Sequence, residues 1–263
     1  MLNMSQILSA AASMADVPLS TKALTMVCFP HAGGNAPTYH ALASHLPSDL
    51  HIVAYQAPAR GCRFSEPPAA SLDAILNELE APLAALTARP CLFLGHSFGG
   101  ILAFEAVRRL RRSGLRLPDH LVISGSFPPN ALVSRRAQWA ERANCSDGEL
   151  FDCIAAGGGV PMDLLAHRDA FLPFMPSMRA EFAILRDYVP AVEPPLPLSL
   201  TTLCGKDDDL VPPEAMADWS SYVAGETQHH VLPGGHHYFD SHTRTLAAHL
   251  HEIATQIVIS RAY

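Results

Sequence analysis

The stretch CLFLGHSFGGILAFEAVRRL, residues 91–110, decides the fold. Cys91-Leu92-Phe93-Leu94 is short, apolar and built from large side chains between Pro90 and Gly95, the pattern of a buried strand. From Ile101 onward, Leu102, Phe104, Glu105, Val107, Arg108, Arg109 and Leu110 suit an amphipathic helix that stops at Ser113-Gly114. Between the two runs lies Gly95-His96-Ser97-Phe98-Gly99, a G-x-S-x-G turn with a strand before it and a helix after it. The glycines carry no Cβ, so the chain can reverse sharply and leave Ser97 at the apex. The serine oxygen then sits at a helix N-terminus, where backbone N–H groups can receive a developing negative charge. Ser97 is either a plain turn residue or a nucleophile that the turn exists to present. The strand–turn–helix context favours the nucleophile.

A serine hydroxyl is a weak nucleophile, so the rest of the chain must supply a base and a group to orient it. PLPLSLTTLCGKDDDLVPPE, residues 195–214, holds a strand candidate, 198–204, that runs into Asp207-Asp208-Asp209. HHVLPGGHHYF, residues 229–239, is a short strand that ends in Pro233-Gly234-Gly235 and then His236-His237. Acid and base candidates thus follow strand ends, where open α/β sheets build their sites. Their order, Ser then Asp then His, is that of the α/β-hydrolase arrangement. The competing reading of the three aspartates is a solvated turn with a helix N-cap, and at least one of them is expected to be only that. Of the histidines, the one directly after Gly-Gly is better placed to swing over the turn. His229 and His230 lie in a strand, and His249 and His251 in the last helix. No H-E-x-x-H or Cys/His zinc spacing occurs, so neither a metal nor a cofactor is expected.

Chain organisation supports one domain. The 263 residues carry a formal charge of −7 and no long basic run, which argues against a nucleic-acid partner. Six cysteines without C-x-x-C suit a reducing cytoplasm, with Cys28, Cys91 and Cys204 as packing residues in core strands. No membrane partner is expected, because nothing reaches spanning length. Residues 1–22 read as a loosely ordered extension, since the apolar ILSAAASMA lacks a positive segment before it. The expected order is strand 24–30, helix 37–46, strand 50–56, helix 71–87, strand 90–95, helix 98–113 and strand 120–125. It resumes with strand 198–204, helix 212–223, strand 228–232 and helix 241–258. The class is therefore α/β, a mostly parallel sheet flanked by helices over residues 23–263. The segment of about 127–197 is far longer than a crossover needs and leaves from a strand's C-terminal end, so it is expected to be a helical lid. Within it, Phe171, Phe174, Met175, Met178, Phe182 and Leu185 either pack the lid onto the sheet or line an acyl trough. Gly157-Gly158-Gly159 is a hinge or a plain loop. Arg108, Arg109, Arg111 and Arg112 end a helix and complement its dipole, whereas Arg135, Arg136 and Arg142 are the better candidates for docking an acidic partner.

Five blocks taken together carry a resemblance: VCFPHAGGNAPTYHALASHLP (27–47), VAYQAPARGCRFSEPP (53–68), FLGHSFGGILAFEAVRRLRRSG (93–114), LCGKDDDLVPPE (203–214) and LPGGHHYF (232–239). In this order and spacing, from about Leu24 to about Leu250, the chain resembles the type II thioesterases, the stand-alone editing hydrolases of polyketide and non-ribosomal peptide synthases. The resemblance assigns the acid to Asp208, the base to His236 and the oxyanion-hole N–H groups to Ala32 and Phe98, beside Ser97 as nucleophile. It implies that the partner is an acyl or peptidyl carrier protein bearing a phosphopantetheine-bound acyl group. Two positions depart from the family pattern: Ala59 stands where a glycine is usual, and Phe98 where methionine is common. Three other readings of the same residues are a general carboxylesterase, an acyltransferase, and a non-catalytic protein that binds carriers. An acyltransferase would leave the late aspartate without purpose, and an intact Ser, Asp and His argue against the non-catalytic protein.

Overall fold

Strand β4 (Cys91–His96) lies at the middle of a seven-stranded sheet, and its residues alternate between two apolar layers. The computed structural model describes residues 7–9, 24–160 and 164–261. The strands are β1 (Ile7–Ser9), β2 (Leu24–Phe29), β3 (Leu50–Ala54), β4, β5 (His120–Ser124), β6 (Ser199–Gly205) and β7 (Thr227–Leu232), in the order β1-β3-β2-β4-β5-β6-β7. Every pairing is parallel. Val27, Phe29, Val53, Phe93, Leu121 and Ile123 face one side and pack against α2 (Leu72–Thr87) and α3 (Phe98–Arg112). Their neighbours in sequence, Met26, Cys28, Ile52, Leu92, Leu94 and Val122, face the other side and meet α1 (His40–Ala43) and the last helix. Strands buried on both faces lack the alternation of apolar and polar residues, which is why Met26–Phe29 of β2 and Cys91–Leu94 of β4 read as continuous apolar runs.

The expected α/β class is what forms, with three local differences. The expected helix 37–46 is a 3₁₀ turn, Ala36–Tyr39, followed by the single turn α1. Pro37 opens that turn and Pro47 follows it closely, leaving little room for a longer helix. The expected helix 212–223 is 3₁₀ throughout, Pro213–Tyr222. It starts on Pro212-Pro213 and is pinned by the buried Trp219, whose indole N–H donates to Ser126 O at 2.7 Å. The expected last helix, 241–258, forms as α9 (Thr243–Ser260), after a separate single turn, α8 (Tyr238–Ser241). Of the expected extension 1–22, the described residues Ile7–Ser9 form the edge strand β1 beside β3, and the rest lies outside the described residues.

Between β5 and β6 the chain leaves the sheet and builds α4 (Pro129–Ser134), α5 (Arg136–Asn144), α6 (Asp147–Ala156) and α7 (Met175–Asp187). This helical layer departs from the C-terminal end of β5, the same end at which β4 delivers Ser97. Its own centre is Trp139 of α5 stacked on Phe182 of α7, with ring centroids 6.3 Å apart and planes within 7°. No helix among the described residues is long and apolar enough to cross a membrane.

Candidate active site

Ser97 has φ +54° and ψ −118°, a backbone conformation that side-chain-bearing residues rarely adopt. The neighbouring glycines explain how the turn closes. A Cβ on Gly95 would stand 2.1 Å from Gly99 O, and one on Gly99 would stand 1.9 Å from Phe29 O. The second approach also draws the loop after β2 against the serine turn. Ser97 N donates to Ser124 O at 2.8 Å, which ties the apex to β5.

The acid and base loops are equally constrained. A Cβ on Gly205 would fall 2.3 Å from Gly235 O, so the two loops pack backbone against backbone. Asp207 N donates to Gly234 O at 2.9 Å, and Lys206 N to Leu232 O at 2.7 Å. The register that results selects one aspartate. The Asp208 side chain is wholly buried, and its Oδ1 accepts from Leu210 N at 2.9 Å and Val211 N at 2.8 Å. Its Oδ2 lies 2.8 Å from His236 Nδ1, and His236 Nε2 lies 3.0 Å from Ser97 Oγ. Asp207 and Asp209 are exposed. Since the carboxylate can only accept, Nδ1 carries the imidazole proton and Nε2 presents its lone pair to the serine hydroxyl. The three residues named by the resemblance are therefore brought together, in the order and contact that general-base activation of a serine requires.

Three more histidines crowd this array. His96 Nδ1 lies 2.8 Å from Ser124 Oγ, which in turn lies 2.5 Å from Tyr238 OH, a buried polar chain beneath the serine turn. His31 packs edge-on against His237, with centroids 4.8 Å apart. Burial and the neighbouring imidazoles hold His31 and His96 well below the ordinary histidine range and push His237 down to about 4. They remain neutral near pH 7, and none adds a positive charge beside His236. Ring nitrogens of His31, His96 and His237 are the group among the described residues that converges enough to be weighed as metal ligands. They lie up to 4.8 Å apart, wider than the roughly 3.3 Å that an ion about 2.0 Å from each imidazole would set.

The loop after β2 forms a turn closed by Gly34 N donating to His31 O at 2.8 Å, with Gly33 at φ +80°. Ala32 of this turn and Phe98, the first residue of α3, both face the cavity that Ser97 and His236 open into. That cavity, about 380 Å³, is walled by the lid: Leu132, Trp139, Ile154, Phe182 and Leu185 supply apolar surface. Of the lid residues singled out in the sequence, Phe182 and Leu185 line it. Phe171, Met175 and Met178 are buried packing residues, and Phe174 rests against Phe64 with centroids 6.4 Å apart. Gly157 and Gly159 lie at its edge. Sequence patterns did not single out Trp139, Leu132 or Ile154, whose short helices give no periodic signal of a cavity.

The two groups of arginines differ in their partners. Arg108, Arg111 and Arg112 converge on Glu193, and Arg109 pairs with Asp73 at 2.8 Å, all structural roles. Arg135 lies over Phe127 at 3.8 Å, and Arg142 lies over Trp139 and Phe182 at the cavity wall. Arg136 donates to the carbonyls of Arg186 and Tyr188. Arg186, and less strongly the charge of Arg136, hold the Asp187 carboxyl below its usual range, so Arg136 is already partly engaged by a carboxylate.

Comparison with known proteins identifies the family and the fold. Residues 24–254 match the family described as thioesterase domain. The solved structure of RedJ, a thioesterase from the prodiginine biosynthetic pathway in Streptomyces coelicolor, is 30% identical. It superposes with a TM-score of 0.78 over 88% of this chain and 86% of that one. BorB, a type II thioesterase from the borrelidin biosynthetic cluster, is 28% identical, with a TM-score of 0.80 over 92% of this chain and 96% of that one. A probable cadicidin biosynthesis thioesterase of Streptomyces griseus is 29% identical over 86% of this chain, which spans 61% of that relative's length. With its serine elbow, its parallel sheet and a match covering nearly its whole length, the chain belongs to the thioesterase domain family of the α/β-hydrolase fold.

Proposed function

We propose that this protein is a serine thioesterase that clears acyl groups from the phosphopantetheine arm of acyl or peptidyl carrier proteins, in an editing role beside a polyketide or non-ribosomal peptide synthase in the cytoplasm. The observation that carries the reading is the continuous contact Asp208–His236–Ser97, at 2.8 Å and 3.0 Å, ending at the floor of an apolar cavity. The names of the relatives support thioesters over oxygen esters, a distinction that a triad alone does not make.

The chemistry runs in two halves. His236 Nε2 takes the Ser97 proton as Oγ attacks the thioester carbonyl, and Asp208 stabilises the imidazolium that forms. The tetrahedral oxyanion is held by the N–H groups of Ala32 and Phe98, each worth on the order of 3 kcal/mol by mutational precedent. The C–S bond then breaks, His236 Nε2 hands its proton to the departing sulfur, and the thiol leaves. Thiols ionise near pH 8.5, so this departure needs far less acid assistance than an amine would. Water, deprotonated by the now neutral His236, attacks the acyl-Ser97 ester, and collapse returns the proton to Oγ and releases the acid. The lid wall of Trp139, Phe182, Leu185 and Leu132 offers the acyl chain a mainly apolar surface, with Gln138 and Arg142 as the polar lid side chains beside it, so selectivity among hydrocarbon chains should be modest, about 1–3 kcal/mol per distinguishing group.

The test compares one acyl group on three leaving groups: carrier-bound phosphopantetheine, a small thiol and an oxygen alcohol. Remote contacts with the carrier can raise turnover as well as affinity, so kcat/KM should be highest on the carrier. That advantage should shrink as salt is raised if Arg135 and Arg142 help to dock it. Equal rates on carrier and small thiol, with faster turnover of the oxygen ester, would identify a general carboxylesterase instead.

A further inference from the structure

The turn that carries Ala32 is held from outside the catalytic array. Residues His31 to Gly34 make a four-residue turn in which Gly33, the third, has φ +80° while Ala32 does not enter that region. This is a type II turn, which differs from the commoner type I by the orientation of its central peptide, Ala32–Gly33. Glu181 fixes that orientation: the Gly33 N–H donates to Glu181 Oε2 at 2.8 Å. The carbonyl that leaves the turn is fixed as well, because Arg60 Nη1 donates to Gly34 O at 2.8 Å. Arg60 and Glu181 then join each other, Nη2 to Oε1 at 2.7 Å, with side chains only 2% and 5% exposed.

The two side chains come from different parts of the fold. Arg60 follows β3, in a loop braced by Gln56 Nε2 donating to Arg60 O at 3.3 Å. Glu181 sits in the middle of lid helix α7. The same helix presses on the turn through Met178, whose Cε would lie 2.0 Å from a Cβ on Gly33. Burial pushes the Glu181 carboxyl up, against the opposing pull of Arg60 and the Gly33 N–H. An ion pair so enclosed is weak evidence for stability, since apolar residues of similar volume often serve a fold as well. Its particular product here is the placement of two peptide groups of one short segment, Ala32–Gly33 and Gly34–Asn35, the first of them directly after the Ala32 N–H.

We propose that Arg60 and Glu181 are positioning residues for the oxyanion turn, and that Glu181 makes the turn's geometry conditional on the seating of lid helix α7. The lid and the oxyanion hole are then one unit: when α7 lies on the sheet, the Ala32–Gly33 peptide is locked, and when α7 lifts, the turn loses the contact that distinguishes it from a type I turn. This inference rests on the reading of Ala32 as an oxyanion donor to the Ser97 intermediate.

The test is the double variant Arg60→Met/Glu181→Met, which removes both charges together and leaves no unpaired ion. A mainly structural role predicts altered stability with wild-type kcat. The positioning role predicts that kcat on an acyl small thiol falls about 30- to 300-fold while KM stays within about threefold, the range for a displaced oxyanion donor. It also predicts a similar loss of affinity for a trifluoromethyl ketone, which needs the oxyanion site, but not for a non-hydrolysable thioether analogue. A folded double variant with wild-type kcat and ketone affinity would overturn the proposal. If that variant does not fold, Glu181→Gln and Arg60→Lys take its place under the same kcat-against-KM and ketone criteria, and wild-type behaviour of both would overturn it. Ser97→Ala run in parallel keeps the two readings apart. An active Ser97→Ala would sink the serine mechanism itself, whereas an inactive Ser97→Ala beside a fully active double variant would sink only the clamp.

Discussion

Replacing Asp208 by Asn changes one atom and no volume, yet the hydrogen bonds around it dictate a large loss. Oδ1 accepts from two backbone N–H groups, Leu210 at 2.9 Å and Val211 at 2.8 Å, so an asparagine must keep its carbonyl oxygen there. Its amide nitrogen then faces His236 Nδ1 at the 2.8 Å now spanned by the carboxylate. Two donors cannot share that contact, and the imidazole responds by moving its proton to Nε2. That nitrogen faces Ser97 Oγ at 3.0 Å and would have no lone pair left to accept the serine proton. The same exchange in a chymotrypsin-type triad lowers kcat about 10⁴-fold, and a loss of about 10² to 10⁴, roughly 3 to 5.5 kcal/mol, is expected here. KM should change little, because Asp208 is buried behind His236 and does not line the cavity. The assay is steady-state thiol release from an acyl small thiol at neutral pH, with Asp207→Asn and Asp209→Asn as neighbours expected to lose only a few-fold. An Asp208→Asn enzyme within tenfold of wild type, or a severe loss at Asp207, would refute the reasoning.

Two other outcomes follow from the packing. Gly99→Ala places a methyl 1.9 Å from Phe29 O and 2.6 Å from Pro30 O, backbone atoms that can yield only by parting α3 from β2. Urea unfolding should show a loss of about 2–3 kcal/mol or more, accompanied by lower kcat because the Ala32 turn moves with Pro30; a neutral substitution would show that this approach is not tight. The second outcome concerns pH. His237 and His120 are each pushed down to about 4 in the fold, chiefly by burial, whereas the unfolded chain protonates them near 6.5. Below about pH 6.5 the unfolded state therefore binds more protons, so stability falls as pH drops from 6.5 towards 4 and levels off below. His237→Phe should make the decline in thermal midpoint over that window shallower, and a variant with the wild-type slope would contradict the assignment.

Much of the sheet was legible because parallel strands buried on both faces are rich in apolar and β-branched residues: 91–94 is an unbroken apolar run, and 198–204 mixes leucines with the β-branched Thr201 and Thr202. Ser97 and His236 were legible for a different reason: each follows a glycine-flanked strand end, a local feature. Asp208 was harder, because three aspartates in a row look alike until the loop's hydrogen bonds bury one and expose two. Ala59, noted in the sequence as a departure from a usual glycine, adopts φ +63°, a left-handed conformation that glycine would take without strain. The Arg60–Glu181 pair was not legible, since 121 residues separate the partners and neither sits in a periodic pattern. Nor was the cavity wall. Trp139 and Ile154 belong to lid helices too short for their apolar faces to reveal which neighbour they meet.

A serine mechanism requires that Ser97 carry the acyl group between the two halves of the reaction. The most direct measurement mixes acyl-phosphopantetheinyl carrier protein with wild-type enzyme and with Ser97→Ala, and follows both proteins by intact-mass spectrometry through the first turnovers. The wild-type chain should gain the mass of the acyl group on Ser97 and lose it as free acid appears. Ser97→Ala should fold normally, gain no mass and hydrolyse the carrier thioester at least about 10³-fold more slowly. A Ser97→Ala enzyme that keeps more than about a tenth of wild-type turnover, or an acyl group found on another residue, would contradict it.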